Sequence, residues 1–263
     1  MIIENRDITI CISSLNDGIF NADLSKKIGY IVCHQVTNGK DYSSFYVRHP
    51  NVRFIKSHIP GLSISRNTLL RLVESTYAYF TDDDIVIDEF GIITLLNKLK
   101  NSNCIAATGK VIVPDGSEFK SYNSKERFLS LKELARVSSV EILFNVKMVK
   151  SLHCAYDERF GLGSVYPSSE EFVLLSDLSK KNQRILFSPI VVCTHPPESS
   201  GMEFYKSDDR IKAKGAMCRR VFGVIKGVGA LLFFSFSKWP RYRNEISLWR
   251  FIVQAFNGFL EIK

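Results

Sequence analysis

Residues 78–87 read AYFTDDDIVI and place three consecutive carboxylates between two apolar runs. Asp82, Asp83 and Asp84 repel one another, and burying like charges is costly unless a cation compensates them. Carboxylate oxygens suit hard cations such as Mg²⁺ and Mn²⁺. The stretch alone leaves two interpretations open, a divalent metal site and an acidic turn between two elements.

Short runs rich in β-branched residues precede this acidic stretch at residues 8–14, 29–36 and 52–55. Their composition predicts buried strands. Residues 19–27 are compatible with a short helix between the first two runs. The order strand, helix, strand predicts parallel pairing and an α/β sheet.

Residues 61–67 read GLSISRN and lead into apolar residues at helical spacing over 68–80. Ser63 or Ser65 is a candidate cap for that helix, which places Arg66 in its first turn. The helix dipole disfavours a cation there. The pattern therefore predicts an anion or carboxylate partner for Arg66, with a solvent-exposed arginine as the alternative.

A pair of acids opens a later helix. The pattern predicts a helix over 89–99, a strand over 104–113 and a helix over 129–137. Residues 140–148 are compatible with a strand or a helix, with a strand favoured, and a new helix is predicted to begin near Ser168 or Ser169. Glu170 and Glu171 then lie in its first turn, where acids are favoured by the dipole. The pattern allows two roles for Glu170 and Glu171, stabilisation of the helix start and catalysis. A last strand over 184–194 ends at His195, for which a structural role and a ligand role remain open.

Composition narrows the class of protein. Hydrophobic residues make up 45% and charged residues 24% of the 263, which excludes wholesale disorder. The net charge is +8, and residues 210–250 hold ten Lys or Arg against one acid, Glu245. Such a tail suits anionic membrane surfaces, nucleic acid or anionic substrates. The six cysteines are scattered singly and favour a reducing compartment, and the first ten residues lack the pattern of a secretory signal.

The C-terminal part differs in character from the rest. Residues 221–236 are apolar apart from Lys226, three glycines and a serine, and they are shorter than the ~20 residues that span a bilayer, so no transmembrane helix is predicted. Residues 238–243, KWPRYR, interleave cations with aromatics, and 246–260 form an amphipathic helix. A helix lying on a membrane and a helix packing on the protein's own core are both open. The predicted division is a domain over 1–205 and a helical extension over 206–263.

Six segments, taken in order, resemble the family 2 glycosyltransferases of bacterial surface-polysaccharide type, nucleotide-sugar enzymes of the GT-A fold. The segments are ITICISS, GLSISRN, TDDDI, ERFGLG, SSEEFVLL and FSPIVVCTHP, and they occur in this order across about 190 residues. The resemblance implies a Rossmann-like mixed, mostly parallel central sheet flanked by helices, with a C-terminal helical basic and aromatic extension.

The resemblance also implies roles for individual residues. Asp84 is the expected metal ligand, with Asp82 on the ribose or the metal and His195 as a further ligand of Mn²⁺ or Mg²⁺. Asp83 is expected to matter least, as a local structural residue on the nucleotide side. The other residues implied to hold the nucleotide are Ser13, Ser14, Asn16, Asp17 and Arg66.

An inverting transfer needs a carboxylate that removes the proton of the acceptor hydroxyl. In the family, this base belongs to a Glu-Asp type pair that opens a helix. Here the pair is Glu170 and Glu171, so Glu171 is the first candidate and Glu170 the second.

The expected function is an inverting, metal-assisted transfer from a nucleoside-diphosphate sugar to a glycan or lipid-linked acceptor. The enzyme would be cytoplasmic, and peripheral at the inner face of the plasma membrane. The alternative is a catalytically inactive nucleotide-sugar-binding or scaffold protein of the same fold. Nucleic acid is not an expected partner, because no stacking-and-phosphate motif accompanies the basic tail.

Overall fold

A computed structural model describes residues 7–196 and 207–262 of the chain. The strands within those residues are β1 (Ile8–Leu15), β2 (Gly29–Gln35), β3 (Val52–Ser57), β4 (Tyr77–Asp82), β5 (Val86–Ile87), β6 (Ala106–Ile112), β7 (Arg127–Phe128), β8 (Ile142–Asn145) and β9 (Ile185–Thr194). The α-helices are α1 (Ser43–Arg48), α2 (Leu62–Leu72), α3 (Glu89–Lys100), α4 (Leu131–Leu134), α5 (Val146–Ser151), α6 (Glu170–Lys180), α7 (Asp208–Tyr242) and α8 (Leu248–Glu261). Short 3₁₀ helices occupy Asn16–Asn21 and Ser139–Glu141.

All nine strands of the described residues belong to one sheet, ordered β3-β2-β1-β4-β8-β6-β9-β5, with β7 paired to β9. The longest ladders, β3-β2-β1-β4 and β6-β9, are parallel, and shorter antiparallel pairs join the rest. The predicted mixed, mostly parallel sheet flanked by helices is confirmed. Since β1 lies between β2 and β4, the chain reverses its direction across the sheet there. A crevice for ligands forms at the carboxyl ends of strands at such a switch point.

The predicted helix over 68–80 is wrong in its bounds. Helix α2 begins earlier, at Leu62, and ends at Leu72, whereas Tyr77 to Asp82 form β4 between β1 and β8. The aromatic residues in YAYF have high β-propensity, and pairing on both edges overrides their helical spacing. Gly61 occupies the N-cap position of α2, so the proposed caps Ser63 and Ser65 lie inside the helix.

Three other predicted elements also differ from the structure. Residues 19–27 form part of a 3₁₀ turn and then irregular chain instead of a helix, and the helix over 129–137 is reduced to the single turn α4. The strand predicted within 140–148 ends at Asn145. The side chain of Asn145 accepts a hydrogen bond from Met148 N at 3.1 Å and so caps α5.

Helix α7 reverses its direction at Gly223, which has φ 73° and ψ −168°. Lys214 Nζ lies 5.2 Å from the ring centroid of Phe234, although a straight helix would separate residues 20 positions apart by about 30 Å. We refer to the two parts as α7a (208–222) and α7b (224–242). By length and composition alone α7 is apolar enough to cross a membrane. The reversal divides that length between two helices, and the absence of a transmembrane helix stays a prediction.

The inner faces of the C-terminal helices pack on the rest of the protein. Arg220 on α7a donates to Asp177 on α6 at 2.6 Å and to Asp157, in the loop before α6, at 2.9 Å. A Cβ at Gly215 would meet the backbone of Ala255, so α7a and α8 approach closely. Residues of α7 and α8 share one apolar cluster with residues of β1, β4 and α6. The predicted domain boundary at 205 and 206 lies outside the described residues.

The reversal at Gly223 gives a test of this arrangement. A residue with a Cβ is strained at these backbone angles by about 1–3 kcal/mol, so Gly223→Ala should lower the free energy of unfolding by that amount in urea titrations. Gly229→Ala is the matched control, because Gly229 is helical and exposed, with nothing within 4 Å of the added Cβ. The control should raise stability by up to about 1 kcal/mol. Equal stability changes in both variants would contradict the reversal.

Candidate active site

Two adjoining cavities open at the carboxyl ends of β1 and β4. The first, the β1–β4 cavity, has a volume of about 350 Å³ and is lined by the ends of both strands and by the loop before α2. The second, the α6 cavity, has a volume of about 260 Å³ and is lined by the first turn of α6 and the segment 137–140. Asp82 and His195 line both cavities. The arrangement is one cleft with two compartments, at the switch point of the sheet.

A buried arginine lies beneath the junction of the two cavities. Arg66 is 1% exposed and donates from Nη2 to Asp82 Oδ1 at 3.0 Å. Its Nη1 lies 3.1 Å from Glu170 Oε1 and 3.5 Å from Glu171 Oε1. Burial alone would lower the pKa of Arg66, but the surrounding carboxylates outweigh burial and raise it. Arg66 therefore has the carboxylate partner that the sequence predicts, and it contacts three carboxyl groups instead of one.

The two glutamates of α6 differ in environment. Glu170 is buried, and burial together with the adjacent Glu171 raises its pKa despite the opposing charge of Arg66. One guanidinium shared among three carboxyl groups cannot neutralise all of them, so the most buried carboxyl retains a proton. Glu171 is less buried than Glu170, and both line the α6 cavity.

The backbone of the loop before α6 packs closely against the side chain of Glu170. Gly161 has φ 103°, and a Cβ there would lie 3.0 Å from Ser63 Oγ and 3.3 Å from Glu170 Cδ. Ser63 Oγ also donates to Phe160 O at 2.6 Å, which ties α2 to this loop. A residue without a side chain is needed at position 161, both for its backbone angle and for the space beside Glu170.

The members of the aspartate triplet occupy three distinct environments. Asp82 pairs with Arg66, whereas Asp83 accepts from Ser14 Oγ at 2.5 Å and from Leu15 N at 3.4 Å, so it braces the end of β1. Asp84 is exposed at the cavity. Partial burial of its carboxyl group and the charge of Asp82 raise the pKa of Asp84, and His195 opposes that rise. Asp84 is the member best placed to gain from a cation.

The residues expected to hold the nucleotide separate into two groups. Ser13 and Ser14 line the β1–β4 cavity. The side chain of Asn16 instead accepts from Thr37 N at 2.8 Å, and that of Asp17 accepts from Tyr42 Oη at 2.8 Å. Both brace the loops beside the cavity, and contact of either with a nucleotide stays a prediction.

One ring nitrogen of His195 contacts the backbone. Its Nδ1 lies 2.6 Å from Pro196 O, and because a carbonyl can only accept, Nδ1 carries the hydrogen. Metal-binding histidines commonly donate one ring N–H to a carbonyl or carboxylate in this way and bind the ion through the other nitrogen. Across the described residues, no group of three or more His, Cys, Asp or Glu side chains is arranged to hold a metal ion. Asp84 and His195 are two protein donors lining one cavity.

Two polar residues of this region gave no signal in the sequence. Gln35, at the end of β2, donates to Ile59 O and Gly61 O, each at 2.9 Å, and so holds the loop before α2. Lys214, on α7a, donates to Ser169 Oγ at 3.3 Å, directly before the glutamate pair. Burial lowers the pKa of Lys214 against the opposing charges of Glu171 and Glu170. Lys214 is 44 residues from Glu170, so no local motif connects them.

The strand order, the crevice at the switch point and the carboxylate cluster define an α/β protein with an acidic cleft at the carboxyl ends of its strands. No protein-family model and no curated protein matches the chain. Solved structures do match it. The structure of S. aureus TarS residues 1–349 aligns over 97% of this chain and 80% of its own, with TM-score 0.65 and 12% identity.

Two further structures carry ligands. The complex of S. aureus TarS 1–349 with UDP-GlcNAc covers 97% of this chain and 81% of its own, with TM-score 0.64 and 12% identity. The mannosyltransferase PcManGT from Pyrobaculum calidifontis, in complex with GDP-Man and Mn²⁺, covers 97% and 87%, with TM-score 0.55 and 13% identity. The chain shares the fold of these proteins, and the GT-A-like fold implied by the resemblance is confirmed.

The raised pKa of Glu170 predicts a pH dependence of stability. A folded-state pKa above the unfolded value means that the folded protein holds a proton that the unfolded chain releases. The stability contributed by Glu170 is then complete below its ordinary pKa of about 4.3 and is lost as the pH rises toward the folded value. Glu170→Gln removes this loss. We expect the free energy of unfolding of the variant, relative to the unmodified protein, to increase by about 1 kcal/mol or more between pH 4.5 and 7.

The measurement is urea unfolding at several pH values. Glu245→Gln, which removes an exposed carboxylate in the link between α7 and α8, is the control and should leave the pH profile unchanged. A profile of Glu170→Gln parallel to that of the unmodified protein would contradict a raised pKa at this position.

Proposed function

We propose that this protein is a glycosyltransferase that transfers a sugar from a nucleoside diphosphate to an acceptor hydroxyl with inversion. The observation that carries the proposal is the cluster of Arg66 with Asp82, Glu170 and Glu171 at the junction of two cavities. A donor whose nucleotide occupies one compartment has its anomeric carbon near that junction. The acceptor then enters the other compartment, past Glu171.

The β1–β4 cavity is the proposed nucleotide compartment. It lies at the switch point between β1 and β4, where open α/β sheets bind nucleotides. Ser13 and Ser14 offer hydroxyl groups there, and Asp83 fixes the orientation of Ser14. TarS and PcManGT, which share the fold, were solved with UDP-GlcNAc and with GDP-Man. We infer a nucleoside-diphosphate sugar as the donor.

A divalent cation fits the donor set at the diphosphate end. Asp84 supplies a carboxylate with a raised pKa, and His195 supplies Nε2, the ring nitrogen that does not contact Pro196 O. Hard cations such as Mg²⁺ commonly take only one or two protein ligands and complete their shell with phosphate oxygens and water. We propose that Asp84 and His195 hold Mn²⁺ or Mg²⁺ and that Asp82 orients the site. When bound, the ion stabilises the charge that develops on the leaving diphosphate.

Glu171 is the proposed general base. Its carboxylate removes the proton of the acceptor hydroxyl while that oxygen forms a bond to the anomeric carbon. The bond from this carbon to the diphosphate oxygen breaks, and its electron pair leaves with the diphosphate. Attack opposite the leaving group inverts the configuration. Glu170 is the poorer base because a carboxyl that retains its proton cannot accept another.

The acceptor and the cellular location that we propose are those implied by the family resemblance. We propose that the acceptor is a glycan or a lipid-linked oligosaccharide of surface polysaccharide synthesis. We further propose that the enzyme works in the cytoplasm, against the inner face of the plasma membrane. The apolar and basic C-terminal helices support this location.

Donor and metal binding can be tested together by thermal shift. We expect one nucleotide sugar of a panel to raise the melting temperature, because a ligand that binds only the folded state stabilises it. Mn²⁺ should enlarge the shift, and Asp84→Asn should remove the enlargement without lowering the melting temperature measured in the absence of ligand. In turnover assays the same variant should lose metal-dependent transfer.

The control is Asp88→Asn, a change at another acidic residue close to Asp84 in sequence that caps α3 outside the cavity. It should retain the shift produced by Mn²⁺. Binding of a nucleotide sugar without any transfer or donor hydrolysis would instead support an inactive binding protein. Full transfer by Asp84→Asn would contradict the metal role.

The base assignment is tested with two isosteric variants. Glu171→Gln should lower kcat by about 10²–10⁴-fold, the usual value of general-base catalysis, and should spare donor binding. Glu170→Gln should retain a larger share of the activity, because it mimics the protonated carboxyl. Single-turnover transfer with the identified donor is the measurement. An inactive Glu170→Gln beside an active Glu171→Gln would reverse the assignment.

A further inference from the structure

The outward face of α7b is apolar. Successive residues of a helix are rotated by about 100° about its axis. Residues that are three, four or eight positions apart therefore lie within an arc of about 80° on one face of the helix. The exposed residues within one such arc are Ile225, Gly229, Phe233, Phe236 and Pro240. Ile225 is 89%, Phe233 67% and Phe236 58% exposed. The outward face of a helix on a soluble protein is normally polar, so this face is the opposite of the ordinary pattern.

Cations border this apolar arc. Lys226 and Arg241 follow it on one side of the helix, and Arg243 lies just beyond the end of α7b; all three are exposed. Glu245 is the one acid between residues 210 and 250. The outward surface of α7b therefore combines bulky apolar side chains with positive charge.

Helix α8 presents a second apolar face to the outside. Trp249 is 75% exposed, and the exposed Val253 and Leu260, four and eleven residues further along, lie on the same side of the helix. Arg250 is exposed beside Trp249. The opposite side of α8 is buried against α7 through Phe251, Ala255 and Phe259. Each helix thus has one apolar face inside the protein and another outside it.

We propose that the outward faces of α7b and α8 bind the surface of a bilayer that contains anionic lipids. A helix with aromatic and aliphatic residues on one face and Lys or Arg beside them lies in the interface between headgroups and acyl chains. Exposed tryptophan is enriched at that depth, and anionic headgroups attract the bordering cations. In this proposal both helices lie along the membrane plane, with their apolar faces toward the acyl chains.

A second copy of the chain is the less suitable occupant. In a two-fold symmetric dimer the same surface meets itself. Here that would bring the cationic border of one copy against that of the other, with few acids to compensate. An anionic bilayer offers acyl chains to the apolar arc and negative headgroups to the cations that border it. The inference accords with a lipid-linked acceptor but does not depend on sugar transfer.

The test is cosedimentation of the full chain with vesicles of phosphatidylcholine alone and with 30% phosphatidylglycerol, at about 0.1 M salt. We expect binding to the anionic vesicles, weak binding to the neutral ones, and loss of binding as salt increases. Phe233→Ser with Phe236→Ser should weaken binding at least tenfold. Lys226→Gln with Arg241→Gln should weaken binding to anionic vesicles and reduce its dependence on salt.

The matched control removes equally exposed apolar side chains elsewhere. Phe90 on α3 is 81% and Val47 on α1 78% exposed, and Phe90→Ser with Val47→Ser should bind vesicles as the unmodified protein does. Unchanged melting temperatures show that each variant is folded. Equal loss of binding in control and test variants would overturn the assignment of this surface, as would failure of the unmodified protein to bind anionic vesicles. A dimer that dissociates in Phe233→Ser with Phe236→Ser, without vesicle binding, would assign the face to a second copy.

Discussion

The buried guanidinium of Arg66 is the interaction on which the rest of this site depends. It joins three elements that are distant in sequence, because its own helix α2 meets β4 through Asp82 and α6 through Glu170 and Glu171. A buried cation is costly unless it is paired, and a buried carboxylate is equally costly alone. Each group is therefore tolerated only while the others are present, which fixes the relative positions of the strand end and the two helices.

The charges in this cluster do not balance. One guanidinium serves three carboxyl groups, and Asp83 and Asp84 add two more beside them. A proton retained on Glu170 relieves part of this surplus of negative charge, and the proposed cation at Asp84 would relieve more of it. A diphosphate could not approach this surface without such a cation, because like charges repel. Binding of donor and of metal are thus expected to be mutually dependent, each supplying the charge that the other lacks.

The sequence predicted those features that are carried by local pattern. The strands β1, β2 and β9 and the start of α6 follow from runs of β-branched residues and from acids in a first turn. The carboxylate partner of Arg66 followed from an unfavourable helix position, although the helix actually begins earlier. The predictions that failed are ones that distant pairing decides. Tyr77 to Phe80 have helical spacing and become a strand because β1 and β8 lie beside them. Lys214 and Gln35 reach the site only through tertiary packing.

The C-terminal helices connect the proposed membrane surface with the proposed chemistry. Arg220 holds α7a to Asp157 and Asp177, on both sides of the loop and helix that carry the glutamates, and Lys214 contacts Ser169. The inner faces of these helices are part of the same apolar cluster as α6. Binding of their outer faces to lipid would therefore fix the orientation of α6 and its glutamates relative to the bilayer. An acceptor held by a lipid anchor would then meet Glu171 from a constant direction, which a freely rotating enzyme could not provide.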